Sequence, residues 1–238
     1  MKPILRKHVW KHLKILQGIE RHKYHPIIHK LRTKFGISKK TLFYVKEYGS
    51  HSNVPKTIIR ESIKVLLFAS LLSSLGGLAL EHIKVLFVSI LPLVILFPAL
   101  NDMIGDYGII ISSRFSTLLH TGEIKRKWHH NLTLGKLFTQ IFIVSILTTI
   151  LSSVLALALS SFSSDYHLTL AIGIKVFLIS IIDVVILVNG LFFISIIAGL
   201  HYFKKKEDPN NFLIPITTSV VDFGNLLILS LLVRLFFF

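Results

Sequence analysis

The sequence predicts an all-α membrane protein, with five transmembrane helices per protomer behind a basic, helical N-terminal cytoplasmic arm. Three observations predict it. First, 52% of the 238 residues are hydrophobic and only 16% are charged, where a soluble domain carries about 25% charged residues. That deficit excludes an ordinary soluble enzyme and a largely disordered chain. Second, the charge is segregated: Met1–Lys64 holds 16 of the 27 Lys/Arg and only three of the 12 acids, Glu20, Glu47 and Glu61. Third, the rest of the chain falls into apolar runs long enough for the roughly 20 residues a helix needs to cross a bilayer. With a net charge of +15, the basic balance then points to an anionic membrane face rather than to nucleic acid. There is no cysteine, so disulfides, thiol chemistry and Cys-based zinc sites are excluded. The first long apolar run starts only after Lys64, so no secretory signal peptide is expected.

The five runs follow in order. Ile58–Leu80 opens with Arg60, Glu61 and Lys64 and then runs clean through VLLFASLLSSLGGLAL. The second starts at Ile83, stays apolar to Leu100 and continues with polar insertions to Leu119. The third is Leu134–Phe162, the fourth Leu168–Phe203 and the fifth Phe212–Phe238. All are too long for buried strands. Lys125–Lys127 and Lys204–Lys206 fall in the loops on the side of the basic arm. The opposite loops carry little: Glu81, His82 and Lys84 in one, Asp165 and His167 in the other. The positive-inside rule places the N-terminus in the cytoplasm and the C-terminus outside. The chain divides into an arm, residues 1–55, and a membrane domain, residues 56–238.

A carboxylate at membrane depth is costly and needs a reason. There are four: Asp102, Asp106, Asp183 and Asp222. The nearby bases (Arg114, Lys175 and Arg234) sit toward span ends, so these acids with small polar neighbours suit a cation path better than structural ion pairs. In span five, Thr218, Asp222 and Asn225 lie at i, i+4 and i+7 on one helix face, flanked by Ser219. Pro215, at the start of this span, frees a carbonyl one turn earlier. In span two, Asp102 and Asp106 are spaced i, i+4 beside Asn101, and Gly105 and Gly108 permit close helix approach. Such hard oxygen ligands suit Mg2+, which keeps much of its water and touches few carboxylates. Structural alternatives exist for each: a hydrogen-bonded Asp222, an Asp102/Asp106 pair at a wet interface or against Arg114, an Asp183 pointing at Asn189. The pairs Ser73–Ser74 and Ser152–Ser153 read as helix-packing residues.

Two motifs carry a resemblance. Pro98, Ala99, Leu100, Gly105, Asp106, Arg114, Ser116 and Thr117 follow a PAL-x4-G-[ND]-x7-R-x-ST pattern. Asp208, Pro209, Asn211, Pro215, Ile216, Ser219 and Asp222 follow DP-x-N-x3-PI-x2-S-x2-D. From Lys56 to Leu232 the chain resembles the solute-carrier magnesium transporters and their relatives, the bacterial MgtE channels. The resemblance implies a five-helix unit, two of which form a pore at their interface, with spans two and five toward the two-fold axis. It implies that Asp222 binds the permeating ion and that each protomer contributes Asp222 and the Asp106 region; the helix spacing adds Asp102, Thr218 and Asn225 to that metal site and Gly105, Asn101, Ser219 and Pro215 to the pore lining. The transported ion would be Mg2+, or Mn2+ or another divalent cation. The partner would be a second copy or a paralogue, since one copy of each motif is present. Asp106 stands where the family usually has Asn and Asp102 where it usually has Gly, and both add negative charge to the path. The cytosolic sensor domains of the bacterial channels have no counterpart here.

In the arm, Leu5, Val9, Leu13 and Leu16 face away from Lys7, Lys11 and Lys14, a basic amphipathic helix expected to bind anionic lipid of the inner leaflet. A solvated tail that only enforces topology is the plainer reading. The i, i+4 pairs His8/His12 and His25/His29 lack an acidic or Cys partner for a metal. There is no HExxH motif, and no enzymatic activity is expected. A membrane scaffold recruiting a partner through the arm is the alternative function, and it leaves the acids of spans two and five unexplained.

Overall fold

The computed structural model describes residues 36, 54–124, 131–163, 166–205 and 208–237. The expected arm, with Lys7, Lys11 and Lys14 and the two histidine pairs, lies outside the described residues. Five helices make up the described chain: α1 (Val54–Ser89), α2 (Leu91–Thr121), α3 (Leu132–Ser161), α4 (Leu170–Lys204) and α5 (Pro209–Phe237). All five are long and apolar enough to cross a membrane, and no strand occurs among the described residues.

The first boundary differs from the sequence expectation. Glu81, His82 and Lys84 do not form a loop; α1 runs through them to Ser89, and a single residue, Ile90, separates it from α2. Lys84 and Glu81, an i, i+3 pair, bond to each other across the helix surface, so this polar stretch stays helical. The break falls instead beside Pro92 in the first turn of α2. Proline has no N–H to give the Val88 carbonyl one turn back, so the α1 ladder stops there, while a proline in the first turn of the next helix loses nothing.

The other ends have local causes. Gly122, at φ 75°, takes the left-handed turn that closes α2, its N–H reaching the last carbonyls; a Cβ would be strained there. Asn131 caps α3 by accepting from Leu134 N at 3.1 Å. Thr169 caps α4 by accepting from Ile172 N at 3.3 Å. Asp208 accepts from Asn210 N at 3.1 Å at the head of α5, and Pro209 occupies its first position, where a missing N–H costs nothing.

Helices α2, α4 and α5 form the centre. Leu93, Leu96, Leu100, Ile104, Ile111 and Phe115 make one buried stripe of α2. Lipid gives apolar faces no reason to leave it, so membrane helices associate through close backbone approach and hydroxyl pairs. Both are present. A Cβ on Gly108 would meet Thr217 at 3.2 Å, and one on Gly199 would meet the Phe115 ring at 2.6 Å. Ser112 lies 3.3 Å from Thr217 and 3.4 Å from Ser195, tying α2 to α5 and α4. Ser153 lies 2.8 Å from Ser180 across α3 and α4, the packing role expected of it. Helix α1 stands outermost and runs parallel to α5. Ser62, Ser73 and Ala79 meet Asn211, Asp222 and Ser230, with offsets held at 149 to 151 residues. Its other face exposes Leu67, Phe68, Leu71 and Leu78, as a lipid-facing helix would.

Candidate ion site at the centre of the bundle

Asp222 lies at the middle of α5, and three helices converge on it. Ser73 Oγ of α1 donates to its Oδ2 at 3.0 Å. Asn101 Nδ2 of α2 donates to its Oδ1 at 3.1 Å. Asn225 Nδ2, one turn on along α5, donates to Asn101 Oδ1 at 3.1 Å. Asn225 is fully buried, and its own carboxamide oxygen has no hydrogen-bond partner among the described residues. The carboxylate is therefore held by neutral donors, and its charge is left for something else to balance. Close packing fixes the geometry: a Cβ on Gly76 of α1 would sit 3.2 Å from the Asp222 carbonyl oxygen and 3.3 Å from Phe223 Cα.

Ser73 is the member that the sequence reading missed. It sits in a run of small residues, SSLGG, that equally suits simple packing. Only the register of α1 against α5, two helices at opposite ends of the domain, brings its hydroxyl to the acid. Its neighbour Ser74 turns to the Ser70 carbonyl.

The remaining expected residues divide. Thr218 turns its hydroxyl back to the Ile214 and Pro215 carbonyls, at 3.0 and 3.2 Å, rather than to Asp222. Ser219 is buried and donates to the Ile216 carbonyl at 3.0 Å. Pro215 lies inside α5. The carbonyl it frees, that of Asn211, accepts from Ser62 Oγ of α1 at 3.3 Å, so within the protomer the bond serves helix packing. Gly105 has open space where a Cβ would be. Asp183 is fully buried, and neither of its oxygens has a hydrogen-bond partner among the described residues. Asn189, considered as its partner, donates instead to the Val185 carbonyl at 2.7 Å.

Asp102 and Asp106 do not join Asp222 inside the protomer. Both are exposed, on an α2 face that continues through Ile110 to Arg114, at the i+4 spacing of one stripe. Among the described residues no three His, Asp or Glu side chains gather into a cluster that would hold a metal within one protomer. The site is thus a single tethered carboxylate with two carboxamides, next to a separate acidic stripe one residue round the helix from Asn101.

No curated protein and no solved structure matches the chain. The model of one family does: MgtE, divalent cation transporter, over residues 97–232. The likeness expected from Lys56 is matched from Phe97 on, one residue before the first motif. It takes in both motifs, the Asn101–Asp222–Asn225 cluster and the Asp102/Asp106 stripe. A match over more than half of the chain, on a bundle of five helices long enough to span a bilayer, settles the family: this multi-pass membrane protein belongs to the MgtE divalent cation transporters.

Proposed function

We propose that the chain carries Mg2+ across the membrane through a path at the two-fold axis of a dimer, lined by α2 and α5 of both protomers. Asp222 is the central ligand, held by Ser73 and Asn101, and Asn225 offers its carboxamide oxygen. Asp106 and Asp102 draw the hydrated ion in, with Gly105, Pro215, Thr218 and Ser219 alongside the path. The observation that carries this reading is the exposure of Asp102 and Asp106 in mid-bundle, at a depth where ionised carboxylates cannot face lipid. A hydrated lumen shared with a second protomer gives them water and cations. Asp222, bound only by neutral donors, is what a site for a largely hydrated divalent ion needs: one charge and few direct contacts. The partner is a second copy or a paralogue, and Mn2+ would enter the same oxygen site. The N-terminus is cytoplasmic and the C-terminus outside, with the basic arm on the anionic inner leaflet.

The test is Mg2+ flux into liposomes carrying purified protein, with the Asp222→Ala variant beside the wild type. Wild-type flux lost in the variant supports the reading. Flux that survives moves the ion site away from Asp222. A folded, dimeric wild type that passes neither Mg2+ nor Mn2+ overturns it.

A further inference from the structure

Helices α1 and α5 separate toward their C-terminal ends. They touch at Gly76 and Asp222 and again where Ser230 Oγ donates to the Ala79 carbonyl at 3.3 Å. Beyond that bond a cleft of about 800 Å³ opens between them. One wall is a stripe of α1, His82, Ile83, Leu86 and Ser89; the other is a stripe of α5, Leu227, Leu231 and Arg234. The spacing of three and four residues puts each set on one helix face. The walls are largely apolar; the polar side chains are the Arg234 guanidinium, the His82 imidazole and the hydroxyls of Ser89 and Ser230, which donate to the Leu86 and Ala79 carbonyls and leave the first two for a ligand.

Depth and charge identify the occupant. Arg234 is twelve residues past Asp222 on α5 and His82 nine past Ser73 on α1. At about 1.5 Å per residue these lie about 14 to 18 Å from the level of Asp222. With the middle of α5 at the bilayer midplane, half of a hydrocarbon core about 30 Å thick ends at that depth, so the guanidinium and the imidazole sit where lipid headgroups begin. Glu81, the acid closest in sequence, is paired with Lys84, which leaves the mouth of the cleft cationic. Among the described residues, the acid that a second copy would bring to this level is Glu81, itself already paired with Lys84, whereas the exposed pair Asp102/Asp106 belongs to the middle of the bundle, next to Asn101.

We propose that this cleft, which the proposed topology turns to the outer leaflet and so away from the basic arm, is a binding site for an anionic phospholipid. Its phosphate accepts hydrogen bonds from the Arg234 guanidinium, whose planar fork matches a phosphate. His82 stands by as a further donor, and an acyl chain lies against Ile83, Leu227 and Leu231. The site is separate from the ion path and does not depend on which ion is carried.

Native mass spectrometry of the full-length chain, released from equal mixtures of phosphatidylglycerol and phosphatidylcholine, tests this. The wild type should retain phosphatidylglycerol preferentially. Arg234→Gln should lower that preference about fivefold, the effect of losing one basic residue at a membrane surface. Leu231→Trp should fill the cleft and lower retention of both lipids. Both positions are exposed, so neither change disturbs the core. The basic arm also attracts anionic lipid, so the difference between variant and wild type carries the result. No preference in the wild type, or a preference unchanged by Arg234→Gln, overturns the proposal. An intermolecular disulfide from Leu231→Cys, in a chain that has no other cysteine, would put a second copy in the cleft and overturn it equally.

Discussion

Asn101 is the residue on which the central cluster turns. It donates to Asp222 and accepts from Asn225, so its removal strands two polar groups at once. Asn101→Leu is expected to cost about 2 kcal/mol in stability, since each buried group left unpaired forfeits roughly 1 to 3 kcal/mol, and to abolish flux by freeing the Asp222 carboxylate to turn. Ser73→Ala removes one bond and is expected to cost about 1 kcal/mol while retaining part of the flux. Thermal unfolding in detergent and liposome flux on the same preparations check both. Equal effects of the two changes would mean that Asn101 does not link the two α5 residues. Sequence spacing alone already put Asp222 and Asn225 on one face and Asn101 beside the acids of span two. It could not supply Ser73, because nothing local in α1 encodes which turn of α5 it lies against. Nor does spacing tell where a hydroxyl sends its hydrogen: Thr218, one turn before the acid, donates to its own helix rather than to Asp222.

At the scale of the helix, Pro215 and Ser62 form a matched pair. Proline deletes the N–H that would have bonded the Asn211 carbonyl, and Ser62 of α1 supplies a hydroxyl to it. Ser62→Ala is therefore expected to cost about 1 kcal/mol in the wild type and almost nothing in a Pro215→Ala background, where the restored N–H takes over the carbonyl. A double-mutant cycle on thermal stability measures the difference, and additive effects would refute the pairing. Gly76 makes a harsher test of the same interface. Its missing Cβ faces main-chain atoms of α5 at 3.2 and 3.3 Å, which cannot step aside as a side-chain tip can. Gly76→Val should cost about 1 to 3 kcal/mol, the usual range for overpacking, and lower flux further by pushing Asp222 from Ser73. The helices themselves were legible from apolar run length alone. The α1–α2 boundary was not, because a polar stretch looks like a loop until Glu81 and Lys84 are seen to satisfy each other on a continuing helix, and the true break at Ile90 is marked only by Pro92.

At the scale of the molecule, the protomer leaves one face that a bilayer cannot cover: the α2 stripe of Asp102, Asp106, Ile110 and Arg114. The apolar face of α1, with Leu67 and Leu71 exposed at 61% and 68%, has no such difficulty in lipid. The proposed dimer, sheltering the α2 stripe around water, would remove the larger cost and leave α1 at the rim. The absence of cysteine makes this directly measurable. In membranes, Ile110→Cys, 45% exposed in the protomer, is expected to give a disulfide-linked dimer on mild oxidation, since a two-fold axis along this stripe brings equivalent positions within the roughly 7 Å between Cα atoms that a disulfide tolerates. Leu71→Cys is expected to give no disulfide-linked species under the same conditions. Cross-linking at Leu71 with none at Ile110 would move the axis to α1, leave Asp102 and Asp106 outside the pore, and require the ion to pass Asp222 within each protomer.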